Sequence, residues 1–291
     1  MIKLENDKIS ILIDIKGAEL KSIYSKKEKR EYLWQAEPKF WSRSSPVLFP
    51  IIGKMRDNKV TIGTKEFSIE KHGFARDTDF FVVSFSESKV TLKLDFSEIM
   101  NRLPFNYDLF ISYELANNKI ICTYLVHNRD ETDMYFSIGA HPAFNLDILS
   151  EKDWNDYFIT FDNDNKIYRY FLKDDLLTNE TILVPLNNNR LYLYNKMFDD
   201  GAWIMKNLKS TNITLNRINS DFELRLEFDN FPYFGIWSVL HGNFICLEPW
   251  CGINDNEHSK DEFRYKEGIN ILESLQKWER KWCISVGRLD L

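Results

Sequence analysis

Ile9-Ser10-Ile11-Leu12-Ile13-Asp14-Ile15 sets an isoleucine at every second position, the spacing at which side chains share one face of an extended strand. The same alternation recurs at Val90-Leu92-Leu94-Phe96, at Leu109-Ile111-Tyr113-Leu115 and at Phe222-Leu224-Leu226-Phe228. Each run therefore predicts a strand with one face buried. Ile120 to His127 is apolar at both parities, as expected of a central strand covered by two layers. Met134 to Ala140, Tyr157 to Phe161, Ile213 to Ile218, Tyr233 to Val239 and Phe244 to Trp250 are further strand candidates. They are punctuated by the turn clusters Asn117-Asn118, Asn163-Asp164-Asn165 and Asn187-Asn188-Asn189. No segment sustains a 3.6-residue apolar period, and only short pieces, such as Lys260 to Phe263, are candidates for helix. Many short strands without intervening helices read as an all-β fold, a large antiparallel sandwich or barrel. Without a linker, composition shift or repeat, one domain is expected over residues 1–291.

Composition agrees with a folded chain of this kind. The 291 residues are 44% hydrophobic and 28% charged, with only 11 Gly and 8 Pro, which excludes disordered and collagen-like classes. Surface scaling leaves roughly 13,000 Å² exposed of about 50,000 Å² in the unfolded chain, enough burial for a large core. A net charge of −6, thinly spread, argues against nucleic-acid or anionic-membrane partners. The polar start Met1 to Asp7 does not resemble a signal peptide, and no apolar run approaches the roughly 20 residues of a membrane span. A cytoplasmic protein is expected, acting as a monomer or homodimer. Cys122, Cys246, Cys251 and Cys283 fit neither a redox motif nor zinc-finger spacing, and are expected to be reduced packing residues.

Chemistry concentrates in a few places. His141 follows a strand-like stretch and precedes Pro142, which forces the chain out of the sheet. A residue at such a strand end is held rigidly and faces a cleft. His72 stands in Lys71-His72-Gly73-Phe74-Ala75-Arg76, also after a strand. Taken singly, either histidine is also what a satisfied core or surface position would hold. No pair has metal-ligand spacing, and phosphate-loop, dinucleotide and nucleophile-elbow motifs are absent. Glu248 is more informative. Period two gives it the same face as Cys246 and Trp250, and a carboxylate in so apolar a strand costs several kcal/mol unless paired. Desolvation raises its pKa and makes it a base nearer neutrality; an arginine or backbone amides holding it for structure are the alternative. Trp237 and Trp250 suit either sugar stacking or the core.

Four blocks in this order resemble the aldose 1-epimerases (mutarotases), most closely their LacX-like branch. They are Leu48 to Lys54, His72 to Arg76, Gly139 to Leu146, and Gly235 to Ser238 with Cys246 to Trp250. The resemblance implies a galactose mutarotase-like β-supersandwich with a shallow sugar cleft, interconverting α and β anomers of a free aldohexose without cofactor or metal. It assigns His141 as general acid and Glu248 as general base. His72, Lys54, Arg76, Asp200 and Trp250 become sugar-binding residues. Lys54 carries a charge without the bidentate fork of arginine. Lys54, Arg56 and Arg76 converging would instead suit a hexose 6-phosphate. A non-catalytic sugar-binding protein on the same fold is the rival from another class. A glycosidase would need two bracketing carboxylates, and only Glu248 stands out.

Overall fold

The computed structural model describes residues 1–259 and 262–287. Two large antiparallel sheets dominate. One has nine strands, running in space from Arg190–Tyr192 through Tyr157–Phe161, Asn212–Arg217, Glu223–Glu227, Lys277–Val286, Lys119–Asn128, Tyr107–Ala116 and Lys89–Leu94 to Phe80–Phe85. The other has eight. Its main path runs from Leu176–Pro185 through Lys166–Lys173, Trp203–Lys206, Tyr233–Trp237, Phe244–Cys251 and Ile138–Ala140 to Val47–Leu48. A four-stranded sheet built from Ile2–Glu5, Ile9–Ile13, Leu20–Ser25 and Arg30–Glu31 accompanies them. The all-β antiparallel sandwich expected from the alternating runs is the fold observed.

The alternations do what their period dictates. Ile9, Ile11 and Ile13, then Leu109, Ile111 and Tyr113, then Leu224 and Leu226 all enter one continuous core. That core removes apolar surface from water at about 25 cal/mol per Å². The first run ends early: a bulge at Leu12/Ile13 breaks the register and leaves Ile15 outside the strand and 42% exposed.

Ile120–His127 departs from expectation. Ile120, Cys122, Tyr124 and Val126 are buried, but Ile121, Thr123, Leu125 and His127 are only half-buried. Their cross-strand partners are Cys283, Lys281, Glu279 and Lys277, so this face lies among long charged side chains rather than under a second layer. The strand covered on both faces is Phe244–Cys251, all of whose residues are buried. Ile245, Leu247 and Cys251 face the main core, whereas Phe244, Cys246 and Trp250 belong to separate clusters on the opposite face. Of the short helical piece, Lys260 and Asp261 lie outside the described residues, and Phe263–Tyr265 forms a single 3-10 turn. The four cysteines are free, three of them buried.

Candidate active site

The opposite face of Phe244–Cys251 is where the chemistry collects. Ile138–Ala140 and Ala143–Asn145 both pair with this strand, Gly139 facing Trp250 and Ala143 facing Cys246. The two pairings share one register, and in that register His141 falls directly opposite Glu248. Pro142 therefore interrupts the ladder for only a few residues before the chain rejoins the same strand. The result is a His141 Nε2 to Glu248 Oε2 distance of 3.2 Å, with both residues buried.

His72 arrives by another route. A parallel bridge joins Phe49 to Gly73, beside the Val47–Leu48 edge that pairs with Ile138–Ala140. His72 (φ 67°) and Gly73 (φ 72°) are both left-handed, and a Cβ on Gly73 would lie 2.2 Å from the Phe49 carbonyl oxygen. Only glycine follows the histidine there, which explains the His-Gly pair in physical terms. The Gly53 amide donates to His72 Nδ1 at 3.1 Å, fixing the neutral tautomer whose Nε2–H is left to donate. The His72 and His141 rings meet edge to face at 5.6 Å.

These side chains line a cavity of about 490 Å³, within the ordinary range for small-molecule sites. Trp41 stacks on the His141 ring at 4.9 Å, and Trp237 meets the same ring edge-on at 5.9 Å. Trp250 lies across two glycines on the neighbouring strands. A Cβ on Gly139 would come within 2.5 Å of its indole, and one on Gly235 within 2.6 Å. Gly139 and Gly235 thus seat this indole in the wall of the cavity.

Burial governs the electrostatics. Desolvation raises the Glu248 carboxyl well above its usual range, opposed weakly by the Lys71 charge and the Trp250 indole N–H. Desolvation also lowers His141 to about 3, and the charges of Arg76, Lys71 and Arg43 add to the effect. His72 is held well below the usual histidine range by burial and then by His141. Burial thus favours the uncharged forms of both, a carboxylic acid beside a neutral imidazole.

Of the residues singled out by sequence, His72, Arg76, His141, Asp200, Glu248 and Trp250 line this one cavity. Lys54 does not; its ammonium donates to the Asp174 carbonyl at 3.3 Å and braces the rim from outside. Arg56 likewise lies away from the lining, so the three cations do not converge. Arg76 pairs with Asp77 at 3.5 Å and donates to the Lys71 carbonyl at 2.7 Å. Asp200 sits on a turn whose carbonyl accepts from buried Arg169, a guanidinium lying over the Phe171 and Trp203 rings.

Trp41, Lys71, Asp174, Asp175 and Asn254 also line the cavity and were not selected from sequence. Asp174 and Asp175, both at positive φ, turn the chain between Lys166–Lys173 and Leu176–Pro185, a two-residue hairpin geometry. The Lys71 ammonium pairs with the Asp175 carboxylate at 2.7 Å, while Asn254 donates to the Asp175 carbonyl at 2.9 Å. The Lys71-His72 dipeptide was the available signal for Lys71. The fold also gathers what linear spacing did not suggest: donor atoms of His141, Cys246 and Glu248 lie within 4.8 Å of one another.

The fold is that of the galactose mutarotase-like β-sandwiches. The model of the aldose 1-epimerase family matches residues 1–235, and the chain belongs to that family. It is 32% identical to the plasmid-encoded protein LacX of Lactococcus lactis subsp. lactis, over 98% of this chain and 99% of LacX. Among solved structures, a galactose mutarotase related enzyme from Lactobacillus acidophilus superposes with a TM-score of 0.93 at 30% identity, covering 98% of this chain and 96% of that one. A galactose mutarotase-like protein from Lactobacillus casei gives 0.92 at 32%, covering 98% and 99%. Among the described residues, no helix is long and apolar enough to cross a membrane.

Proposed function

We propose that this chain is an aldose 1-epimerase that interconverts the α and β anomers of a free aldohexose, with Glu248 and His141 exchanging the protons. The observation that carries the reading is the buried His141–Glu248 pair, 3.2 Å apart, opening onto a cavity of sugar size. Ring opening removes a proton from the anomeric hydroxyl and adds one to the ring oxygen. A pair that holds one proton at the start holds one at the end, so no proton need come from solvent. Glu248 first passes its proton to His141. The carboxylate then accepts the anomeric proton, and the imidazolium protonates the ring oxygen. Rotation about C1–C2 and the reverse transfers close the ring on the other face.

The remaining lining residues have roles that follow from their donors and charges. His72 offers its Nε2–H to the ring oxygen region, Asp200 accepts from sugar hydroxyls, and Trp250 supplies an apolar face for the ring. Arg76 contributes N–H donors at the rim. Lys54 acts indirectly, by holding the Asp174 backbone. The lining sets Asp174, Asp175 and Asp200 against Lys71 and Arg76, with Lys71 already paired to Asp175, a balance that favours a neutral polyol over a phosphorylated sugar. A protein that only bound sugar would gain nothing from keeping a glutamate 2% exposed with Oε2 lacking a hydrogen bond.

Glu248→Gln tests the reading, because it keeps the shape and removes the proton exchange. Polarimetry and exchange NMR should show a loss of about 10²- to 10⁴-fold in the catalysed rate, or about 3–5 kcal/mol in the barrier. A melt at least as high as the parent's would show that the fold survived. A folded variant with parental acceleration would overturn the assignment.

A further inference from the structure

The strands that build the proton-transfer pair supply a third donor beside it. Cys246 and Glu248 share a face by period two, and the ladder register carries His141 onto that face from the neighbouring strand. Ligand-capable atoms of His141, Cys246 and Glu248, all buried, lie within 4.8 Å of one another. Glu248 Oε2 has no hydrogen-bond partner although the residue is only 2% exposed. His141 and Glu248 line the cavity, and Cys246 is fully buried.

We propose that His141, Cys246 and Glu248 form a binding site for a thiophilic divalent metal ion of the zinc class, and that its occupation blocks the active site. Zinc–ligand bonds of about 2.0–2.3 Å in a tetrahedron place ligand atoms roughly 3.3–3.6 Å apart. The 3.2 Å between His141 Nε2 and Glu248 Oε2 already lies close to that spacing, and the Cys246 sulfur, within 4.8 Å of both, must close by up to about 1.2 Å to complete it. Nitrogen, sulfur and oxygen donors together suit zinc, not magnesium or calcium, whose sites are built from oxygen. Three protein ligands leave the fourth position facing the cavity, where water completes the shell.

Charge also balances. As the ion enters, the thiol proton and the one proton shared by Glu248 and His141 leave to solvent. A thiolate, a carboxylate and a neutral imidazole around a dication sum to zero, so the buried assembly carries no net charge. The metal then occupies the imidazole lone pair and the carboxylate oxygen that proton exchange requires. Binding is independent of the proposed activity; inhibition rests on it.

The test uses the full chain, stripped with a chelator and titrated with zinc chloride by calorimetry or cobalt chloride by visible absorption. One ion per chain is expected, with the intense bands of tetrahedral cobalt and a thiolate-to-cobalt charge-transfer band. Zinc should lower the mutarotation rate with the same midpoint, and chelator should restore it. Cys246→Ser should keep the basal rate, lose the charge-transfer band and weaken zinc binding by at least about tenfold. Cys246→Ala, which suits the surrounding cluster of Trp34, Ala143 and Phe244, replaces it if the serine variant does not fold. Absence of one-to-one binding with Kd below about 0.1 mM, or binding unchanged in a folded Cys246 variant, would overturn the site. Should the parent lack mutarotation, calorimetry and cobalt absorption still decide the binding.

Discussion

Lowering the pH separates two pictures of the Glu248–His141 pair. With ordinary values near 4.3 and 6.5, a carboxylate base and an imidazolium acid would coexist only between those limits. Activity would then fall on the acid side as Glu248 gained its proton, and on the alkaline side as His141 lost one. Burial inverts the order, raising Glu248 and depressing His141 to about 3. The working form is then the neutral pair with one proton, and its acid limit is the arrival of a second proton at about pH 3. At pH 4 an ordinary carboxylate would be about two-thirds protonated, leaving about a third of the plateau rate. The buried pair should instead retain about nine-tenths, by the same titration arithmetic. The measurement is polarimetric kcat/KM from pH 4 to 7, corrected for the uncatalysed reaction at each pH. Infrared difference spectra should show a protonated carboxyl band at neutral pH that disappears in Glu248→Gln. An acid limb centred near 4.3, or a His141 imidazole that titrates near 6.5 by NMR, would refute the inverted order.

Two further outcomes follow from the geometry of the cavity. Gly235→Ala should drive a Cβ into the Trp250 indole, since the contact would be 2.6 Å. An overpacking cost of about 1–3 kcal/mol and a raised KM are expected, read by thermal melt and sugar-dependent rates. An unchanged melt and KM would show that the indole is not pinned against the sheet. Free glucose should be preferred over glucose 6-phosphate by at least about tenfold in kcat/KM at matched ionic strength, a difference of about 1.4 kcal/mol. The reason is that Lys71 and Arg76 are already paired with Asp175 and Asp77, while Lys54 lies outside the lining. A preference for the phosphate would reverse this choice of substrate.

What could be read in the chain was local. Period-two runs such as Leu109 to Leu115 identify strands because one buried face is enough to impose alternation, whatever the partner strand. Which strand lies between two layers is a property of the stack. Ile120–His127 and Phe244–Cys251 are both apolar at both parities, yet only the second is buried throughout. His141 and Glu248 were each legible, one by the proline after it and the other by its apolar surroundings. Their mutual placement was not, because it depends on a register shared by two short strands on either side of Pro142. Lys71 and Asp175 were harder still, being 104 residues apart and joined only by the turn that Asn254 and Lys54 brace.

The same register weighs the choice that the sequence left open for Glu248. A structural glutamate in a covered strand would meet an arginine or a set of backbone amides, either of which lowers the cost of its charge. Here the residue opposite is His141, itself depressed by burial, and Oε2 accepts no hydrogen bond. Burial favours the neutral form of each partner, so at rest the contact is not held together as an ion pair. Moving one proton across 3.2 Å brings no net charge into the core, but it runs against the raised Glu248 and lowered His141 values, so the charged pair forms only when something else stabilises it. A bound sugar, bringing hydroxyls to both partners, supplies the hydrogen bonds that the charged form lacks. The arrangement is therefore costly as architecture and useful as chemistry, which favours catalysis over simple sugar binding.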